Sequence, residues 1–388
     1  MAQPYVSDSI LSTPNIGNSS SPILVDSEID SSDDEPLIQI HNEAKTKNLS
    51  PKASGYAKND EPPDSFESTT VLSSGKVLPP NVLEFYKILK GAKGPPITVV
   101  NNVDNEGPPP NFTYIDDNIW SPDVPQPSRE AVCGCECSDG QSCFVPDPDN
   151  GTIESECLCM DLQSSVMPYD SNGLLITESG SSIYECNHMC SCGPDCHMRV
   201  VQKGRTVPLR IFKSKNRGWG VDAMTLIKKG QFICEYVGEI ITYIEAEHRL
   251  SSEVELGTSY LFDLDSEVQE HEFSDFTIDA RHYGNISRFI NHSCEPNIEI
   301  RAVFIEHWDK RLHRLALFAR RDIMPGEELA FDYNPGRKFI DSDSDLNHSE
   351  NLVHKNNMPR SGQKASTTIP KHFICYCGTA SCRGKIFT

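Results

Sequence analysis

Apolar positions along the 388-residue chain fall into short runs separated by long polar intervals. The stretch L-P-P-N-V-L-E-F-Y-K-I-L-K-G, 78 to 91, spaces its apolar residues helically and predicts a short helix from near Asn81 to Gly91. P-I-T-V-V-N-N, 96 to 102, predicts a strand, and the Pro-rich interval 107–128 predicts an extended path over a surface. From 207 to 335 the pattern turns β-rich, with candidate strands P-L-R-I-F, Q-F-I-C-E-Y-V, S-Y-L-F-D-L, F-T-I-D-A, E-I-R-A-V-F-I and R-L-A-L-F-A-R between Gly, Pro and charged turns. One further helix is predicted over 241–250, I-T-Y-I-E-A-E-H-R-L. Residues 1–75 are rich in Ser, Asp, Glu and Pro with few aromatics, which predicts disorder, and 336–373 reads as a long polar loop. The expected class is α+β, mostly short β-strands.

Charge narrows the partners. A formal net charge of −21 speaks against a protein held on nucleic acid by phosphate contacts and favours a basic protein or peptide. No sequence-specific DNA binding is expected. The first residues, M-A-Q-P-Y-V-S-D-S-I, carry no secretory pattern, and no apolar run is long enough to span a membrane. Within the acidic tail, P-I-L-V-D-S-E-I-D-S-S-D-D-E (22–35) resembles a SUMO-interaction motif, an apolar strand for a sheet edge followed by acids for a basic rim. SUMO or SUMOylated proteins are therefore candidate partners, against the plainer reading of a solvated charge run.

Fifteen cysteines in a chain without an export signal point to metal rather than disulfides. Nine of them run Cys135-x-Cys137-x5-Cys143-x13-Cys157-x-Cys159, then Cys186-x3-Cys190-x-Cys192-x3-Cys196. Pairs one residue apart are too close to serve a single zinc finger and suit thiolates that bridge neighbouring ions. Three tetrahedral zincs need twelve ligand positions, which nine cysteines fill if three of them bridge; Cys133 is left over. At the C-terminus, C-Y-C-G-T-A-S-C-R-G offers Cys375, Cys377 and Cys382, one short of a tetrahedral set. Cys234 and Cys294 are the candidates for the fourth. Cys234 sits in an apolar strand pattern and reads as core.

Cys294 lies in F-I-N-H-S-C-E-P-N, 289 to 297, which also matches a glycosylation sequon and could suggest a thiol nucleophile beside His292. The sugar reading requires export and falls. A metal-bound Cys294 would clamp the C-terminus against this stretch and make its thiolate structural.

Six separated motifs now stand in order: R-G-W-G-V (217–221), E-Y-V-G-E (235–239), S-Y-L-F-D-L-D (259–265), Y-G-N-I-S-R-F-I-N-H-S-C-E-P-N (283–297), E-L-A-F-D-Y (328–333) and C-x-C-x4-C (375–382). Over roughly 95–388 the chain resembles a SET-domain protein lysine methyltransferase with pre-SET, SET and post-SET parts. The nine-cysteine block resembles the suppressor-of-variegation class, and V-V-N-N-V-D-N-E-G-P-P-P with E-C-N-H-M-C-S-C-G-P-D-C-H-M-R-V-V-Q-K-G-R resembles its fungal heterochromatin enzymes. The resemblance implies di- or trimethylation of lysine 9 in the histone H3 tail from S-adenosylmethionine, residence in the nucleus on chromatin, and a part in heterochromatin formation and gene silencing. It implies a SET-domain β-clip with the Asn291–Cys294 segment threaded as a pseudoknot, three zincs in the pre-SET cluster, and one in the post-SET segment through Cys294. The expected division is a disordered acidic tail (1–75), a helix and strand segment packing on the SET domain (76–132), the pre-SET cluster (133–200), the SET domain (204–335), a flexible loop that is a candidate autoregulatory element (336–373), and the post-SET segment (374–388).

By the same resemblance, Arg217, Gly218, Trp219, Tyr260, Arg288, Phe289, Asn291 and His292 surround the cofactor. Gly218 is expected to permit close backbone approach and Trp219 to offer an aromatic face, where the plainer readings are a glycine turn and a core tryptophan. Tyr236 and Tyr333 match the active-site tyrosines, whose hydroxyls orient the lysine amine. That amine must be neutral to attack, and a nearby sulfonium lowers its pKa, so no dedicated base is expected. Phe331 matches the position that sets product: tyrosine there holds a water and restricts transfer to one methyl, whereas phenylalanine leaves room for more. The N-terminal part shows no aromatic-cage pattern. The 336–373 insert carries Lys355, Lys364 and Lys371, and S-G-Q-K-A-S-T (361–367) resembles a lysine-Ser/Thr histone sequence, which suggests a loop that occludes the groove and offers Lys364 for self-methylation, against the equally weighted reading of a disordered linker. A catalytically dead zinc scaffold and a zinc-cluster DNA binder remain as other classes. The first is opposed by the intact motif residues and the second by the charge.

Overall fold

The computed structural model describes residues 79–129, 132–136, 143, 157–163, 166–253, 259–265, 274–334 and 372–387. The tail with its 22–35 motif, Cys137, and most of the 336–373 insert with its three lysines lie outside these residues. Helix α1 (Pro80–Ile88) is followed by β1 (Ile97–Val100), β2 (Thr113–Tyr114) and β3 (Ile119–Trp120). Helix α2 (Leu158–Asp161) and β4 (Ile183–Tyr184) lie in the cysteine-rich part. Then come β5 (Leu209–Lys213), β6 (Trp219–Ala223), β7 (Phe232–Tyr236), β8 (Glu239–Thr242), α3 (Tyr243–Glu253), β9 (Leu261–Asp263), β10 (Phe276–Asp279) and β11 (Tyr283–Gly284). β12 (Asn291–His292), β13 (Ile298–Phe304), β14 (Arg314–Ala319) and β15 (Ala330–Phe331) complete the central part, and β16 (His372–Ile374) with β17 (Lys385–Phe387) closes the chain.

These strands form small sheets ordered β1-β5-β6, β3-β8-β10-β9 and β4-β13-β14-β7, with β11-β2, β12-β15 and β16-β17 as two-stranded pairs. Alternation drives the longer strands: Leu209 and Ile211 of β5 are fully buried while Arg210 between them turns outward to Asp222 at 2.6 Å. One apolar core runs from α1 through the sheets to Phe331. Among the described residues no helix is long and apolar enough to cross a membrane.

Three sequence expectations shift. The helix begins at Pro80, where a missing N–H costs nothing, and Asn81 donates instead to the Glu106 carbonyl at 3.1 Å. Ile241 and Thr242, expected to be helical, finish β8 opposite Thr277 and Phe276, because buried Ile240 and Ile241 belong to the sheet. The Thr242 hydroxyl then accepts from the Glu245 N–H at 3.3 Å at the start of α3. The Pro-rich interval does not simply run over a surface. It pairs β2 with β11 and β3 with β8, both parallel, and buries Phe112 and Val124.

Two close approaches fix the frame around the central motifs. At Gly238 a Cβ would stand 2.3 Å from the Asp279 carbonyl, so the turn between β7 and β8 admits only glycine. Glu185, fully buried between the cysteine block and the sheets, accepts from Tyr169 Oη (2.9 Å), the Val200 and Val201 N–H groups (2.9 and 2.7 Å), the Gln202 N–H (3.3 Å) and Gln202 Nε2 (2.8 Å).

Candidate active site and metal centres

Loop 214–218 is turned by Ser214, whose hydroxyl donates to the Gly218 carbonyl at 2.9 Å and accepts from the Arg217 N–H at 2.9 Å. Gly218 itself has φ +66°, and nothing stands within 4 Å of the place a Cβ would take. The glycine is thus required by backbone conformation rather than by close approach, and it leaves open space beside Trp219. The Trp219 ring meets Phe85 edge-on at 4.5 Å, and its buried Nε1–H has no partner among the described residues. An orphaned indole donor beside open space suits a ligand with hydrogen-bond acceptors.

One carboxylate gathers this loop. Glu328 pairs with the Arg217 guanidinium and accepts from Asn291 Nδ2 at 2.9 Å, while the same amide reaches the Trp219 carbonyl at 3.2 Å. Glu328 was outside the sequence-derived site although it opens the E-L-A-F-D-Y motif, because a single glutamate in a motif carries no spacing signal. On the adjoining wall, the Arg288 guanidinium lies 3.9 Å from the Tyr260 ring centroid, and its Nε donates to the Ala280 carbonyl at 3.0 Å. Phe289 turns its ring into the core between Phe85 (5.9 Å) and Phe112 (5.6 Å). Phe85 and Phe112 therefore buttress the site from the N-terminal segment.

β12 pairs in parallel with β15, setting Asn291 beside Ala330 and His292 beside Phe331. His292 Nδ1 accepts the Tyr333 N–H at 3.1 Å, which assigns the ring proton of the neutral imidazole to Nε2, 3.4 Å from Cys294 Sγ. Burial lowers the His292 pKa against the opposing pull of Asp332, so the ring is neutral near pH 7.

An aromatic cluster adjoins it. Phe262 lies 5.4 Å from Tyr236 and 6.4 Å from Phe331, and Phe331 lies 4.7 Å from Tyr333. The Tyr236 hydroxyl donates to the Tyr260 carbonyl at 2.8 Å and the Tyr333 hydroxyl to the Ile290 carbonyl at 2.7 Å. Each oxygen thereby keeps lone pairs for an incoming N–H group. Although the Tyr333 ring is 38% exposed, its hydroxyl end points inward. Desolvation holds both tyrosine pKa values above their ordinary range, so both remain neutral.

The cysteines converge into four-thiol groups: Cys135, Cys143, Cys157 and Cys186; Cys135, Cys159, Cys186 and Cys190; Cys143, Cys186, Cys192 and Cys196; and separately Cys294, Cys375, Cys377 and Cys382. Tetrahedral zinc at about 2.3 Å from each sulfur requires sulfur pairs about 3.8 Å apart. Cys135 to Cys186 is 3.9 Å, Cys159 to Cys190 3.6 Å, Cys186 to Cys196 4.0 Å and Cys294 to Cys375 3.8 Å, so the thiols fit such ions. Cys234 is instead buried in β7, and exposed Cys133 belongs to none of these groups. The fourth group sits against the pocket, since Cys294 follows His292 by two residues and Arg383, next to Cys382, reaches Asp332 beside Tyr333.

The SET domain family model matches residues 218–334, and the Pre-SET motif model matches 89–199. A Schizosaccharomyces pombe protein, histone-lysine N-methyltransferase, H3 lysine-9 specific, is 37% identical over 341 residues, 87% of this chain and 64% of that protein. The solved structure of the Neurospora SET domain protein DIM-5, a histone lysine methyltransferase, is 38% identical with TM-score 0.55, covering 63% of this chain and 98% of that one. KRYPTONITE, crystallised with mCHH DNA, an H3(1-15) peptide and SAH, is 31% identical with TM-score 0.57, covering 76% of this chain and 52% of that one. The chain spans between 41% and 65% of the length of the curated relatives it matches.

Proposed function

The chain belongs to the SET-domain family, in the suppressor-of-variegation class that carries a pre-SET motif, and on that premise we propose that it methylates lysine 9 of the histone H3 tail using S-adenosylmethionine. The observation that carries this reading is the meeting of Tyr236, Phe331 and Tyr333 in one aromatic cluster around Phe262, with Asn291 and His292 at its side. When bound, S-adenosylmethionine supplies an electrophilic methyl group. Arg217, Gly218, Trp219, Tyr260, Arg288, Asn291 and His292 hold it, with Phe289 acting through its backbone because its ring is in the core. Glu328 orients Arg217 and Asn291 together.

The acceptor lysine enters along the aromatic walls of Phe262 and Phe331, which disfavour its charged form and so favour the neutral amine that can attack. The hydroxyl oxygens of Tyr236 and Tyr333 accept its N–H bonds and fix its direction, a positioning role rather than proton abstraction. Phe331 carries no hydroxyl to hold a water, which supports di- and trimethylation. A basic peptide suits β9, the unpaired edge of its sheet, whose Asp263 is exposed.

The metal reading is three zincs in the pre-SET cluster and one at Cys294, Cys375, Cys377 and Cys382. Cys135 and Cys143 are each common to two of these groups and Cys186 to all three, which makes these three the candidates for the bridging thiolates. The domain division given above, nuclear residence on chromatin, a role in silencing, and SUMO contact through 22–35 belong to the same proposal.

The test incubates the purified chain with labelled S-adenosylmethionine and an H3 tail peptide, beside a peptide whose ninth-position lysine is alanine. Mass spectrometry then reads both peptide and enzyme. Label confined to the first peptide is expected, and label on Lys364 would add self-methylation. No label with zinc present and cofactor bound would overturn the reading in favour of a scaffold.

A further inference from the structure

Arg383 touches more of the site than any sequence motif suggests. It directly follows Cys382, and its own N–H donates to Cys294 Sγ at 3.3 Å, so its backbone is fixed by two thiols of the C-terminal group. Its guanidinium forms an ion pair with Asp332, donates to the Asn334 carbonyl at 3.1 Å and comes within 3.5 Å of His292 Nε2. Asp332 is the residue between Phe331 and Tyr333, and it accepts the Asn334 N–H at 2.9 Å. A single side chain 19% exposed therefore joins the last thiol of the metal group to the F-D-Y turn, whose Tyr333 N–H is accepted by the His292 imidazole.

We propose that Arg383 is a positioning residue that couples metal occupancy of the Cys294, Cys375, Cys377 and Cys382 group to the cofactor and lysine pockets, an inference that rests on the function proposed above. With the ion in place, Cys382 and Cys294 are held at one spacing, and the Arg383 fork has only one place to lie. Planar, bidentate geometry suits this role, because the guanidinium spans Asp332 and the Asn334 carbonyl at once. Asp332 and Asn334 flank Tyr333, so the fork fixes the turn that aims the Tyr333 hydroxyl at the Ile290 carbonyl. When the ion is removed the fork loses its anchor, and the His292–Tyr333 wall loses its external support. Coupling of this kind is reciprocal: if metal strengthens cofactor binding through Arg383, cofactor must strengthen metal binding by the same factor, and slower metal loss is its expected sign.

The test uses the full chain with its metals. Cofactor affinity is measured by calorimetry, and chelator-driven zinc release is followed with and without saturating S-adenosylhomocysteine. The release phase missing from Cys377→Ser identifies the C-terminal ion. In the wild-type chain, cofactor is expected to slow that phase, and in Arg383→Ala the protection is expected to vanish. Arg383→Ala should keep its zinc content while weakening cofactor binding about 10- to 100-fold, the range for residues that support metal ligands. Arg383→Lys, which keeps charge but not the fork, should recover part of the loss. Exchanging the charges (Asp332→Arg with Arg383→Asp) covers the case in which a single change fails to fold. Equal cofactor protection in wild type and Arg383→Ala would overturn the coupling alone. A wild-type chain that holds its zincs yet binds no cofactor would instead overturn the proposed function, and the coupling with it.

Discussion

Glu185→Gln isolates one buried charge at the joint between the cysteine cluster and the sheets. Glu185 Oε1 accepts from Tyr169, Val200 and Val201, and Oε2 accepts from the N–H and the side-chain amide of Gln202. The substitution preserves shape and keeps one acceptor oxygen, but the other becomes an NH2 group facing two donors. Each buried donor left unsatisfied costs about 1–3 kcal/mol. Rotation of the Gln202 amide relieves at most one of them, so the loss should be about 2–5 kcal/mol. For a domain of this size, about 2–4 °C of melting temperature accompanies each kcal/mol, which places the fall at about 4–20 °C. Thermal melts followed by circular dichroism, with zinc content measured in parallel, read the effect directly. Glu185→Ala, which removes all five acceptor contacts, should fall further still. A Glu185→Gln melt within about 2 °C of wild type would refute the reasoning, because it would mean that water already serves those donors.

Three other outcomes follow from the site. Phe85→Ala removes a 1% exposed ring from behind Trp219, so stability should drop by about 3–5 kcal/mol and the cofactor KM should rise more than kcat falls; an unchanged KM would separate α1 from the pocket. Phe331→Tyr should move product towards monomethyl-lysine by mass spectrometry, and an unchanged product pattern would remove Phe331 from product control. The rate should climb with pH as the lysine amine, ordinarily titrating at about 10.4, loses its proton. Burial raises the Tyr236 and Tyr333 pKa values, so neither should deprotonate and break the climb below about pH 10. An optimum near pH 6 in the initial rates, with the fold intact, would contradict this picture.

Legibility in the sequence followed the range of the interaction. β5 announces itself by alternation, whereas β7, β13 and β14 do so as short apolar runs rich in β-branched and aromatic residues that are buried over most of their length. β2, β3, β12 and β15 are two residues long, so no period can develop, and their partners lie far along the chain. For the same reason the Pro-rich interval read as surface, although Phe112 lies beneath Arg288 at 5.1 Å. The cysteine count announced metal, but only the 3.8 Å approach of Cys294 to Cys375 separates it from Cys234 as the fourth thiol. Glu328 and Arg383 escaped notice because one charged residue is silent until its partners are placed around it.

The parallel pairing of β1 with β5 and of β3 with β8 has a consequence for how the chain is made. A ribosome releases residues 79–129 long before β5, β8 and β11 exist, so α1 and its strands must wait without partners. A second delay follows from the group around Cys294, which closes only when Cys382, 88 residues further along, has been translated. Contacts this distant in sequence close slowly and leave strand edges open meanwhile. Nascent chains should therefore remain open to chaperones until Cys382 has emerged, and truncation at either end of the 79–387 span should yield insoluble protein rather than a smaller folded domain.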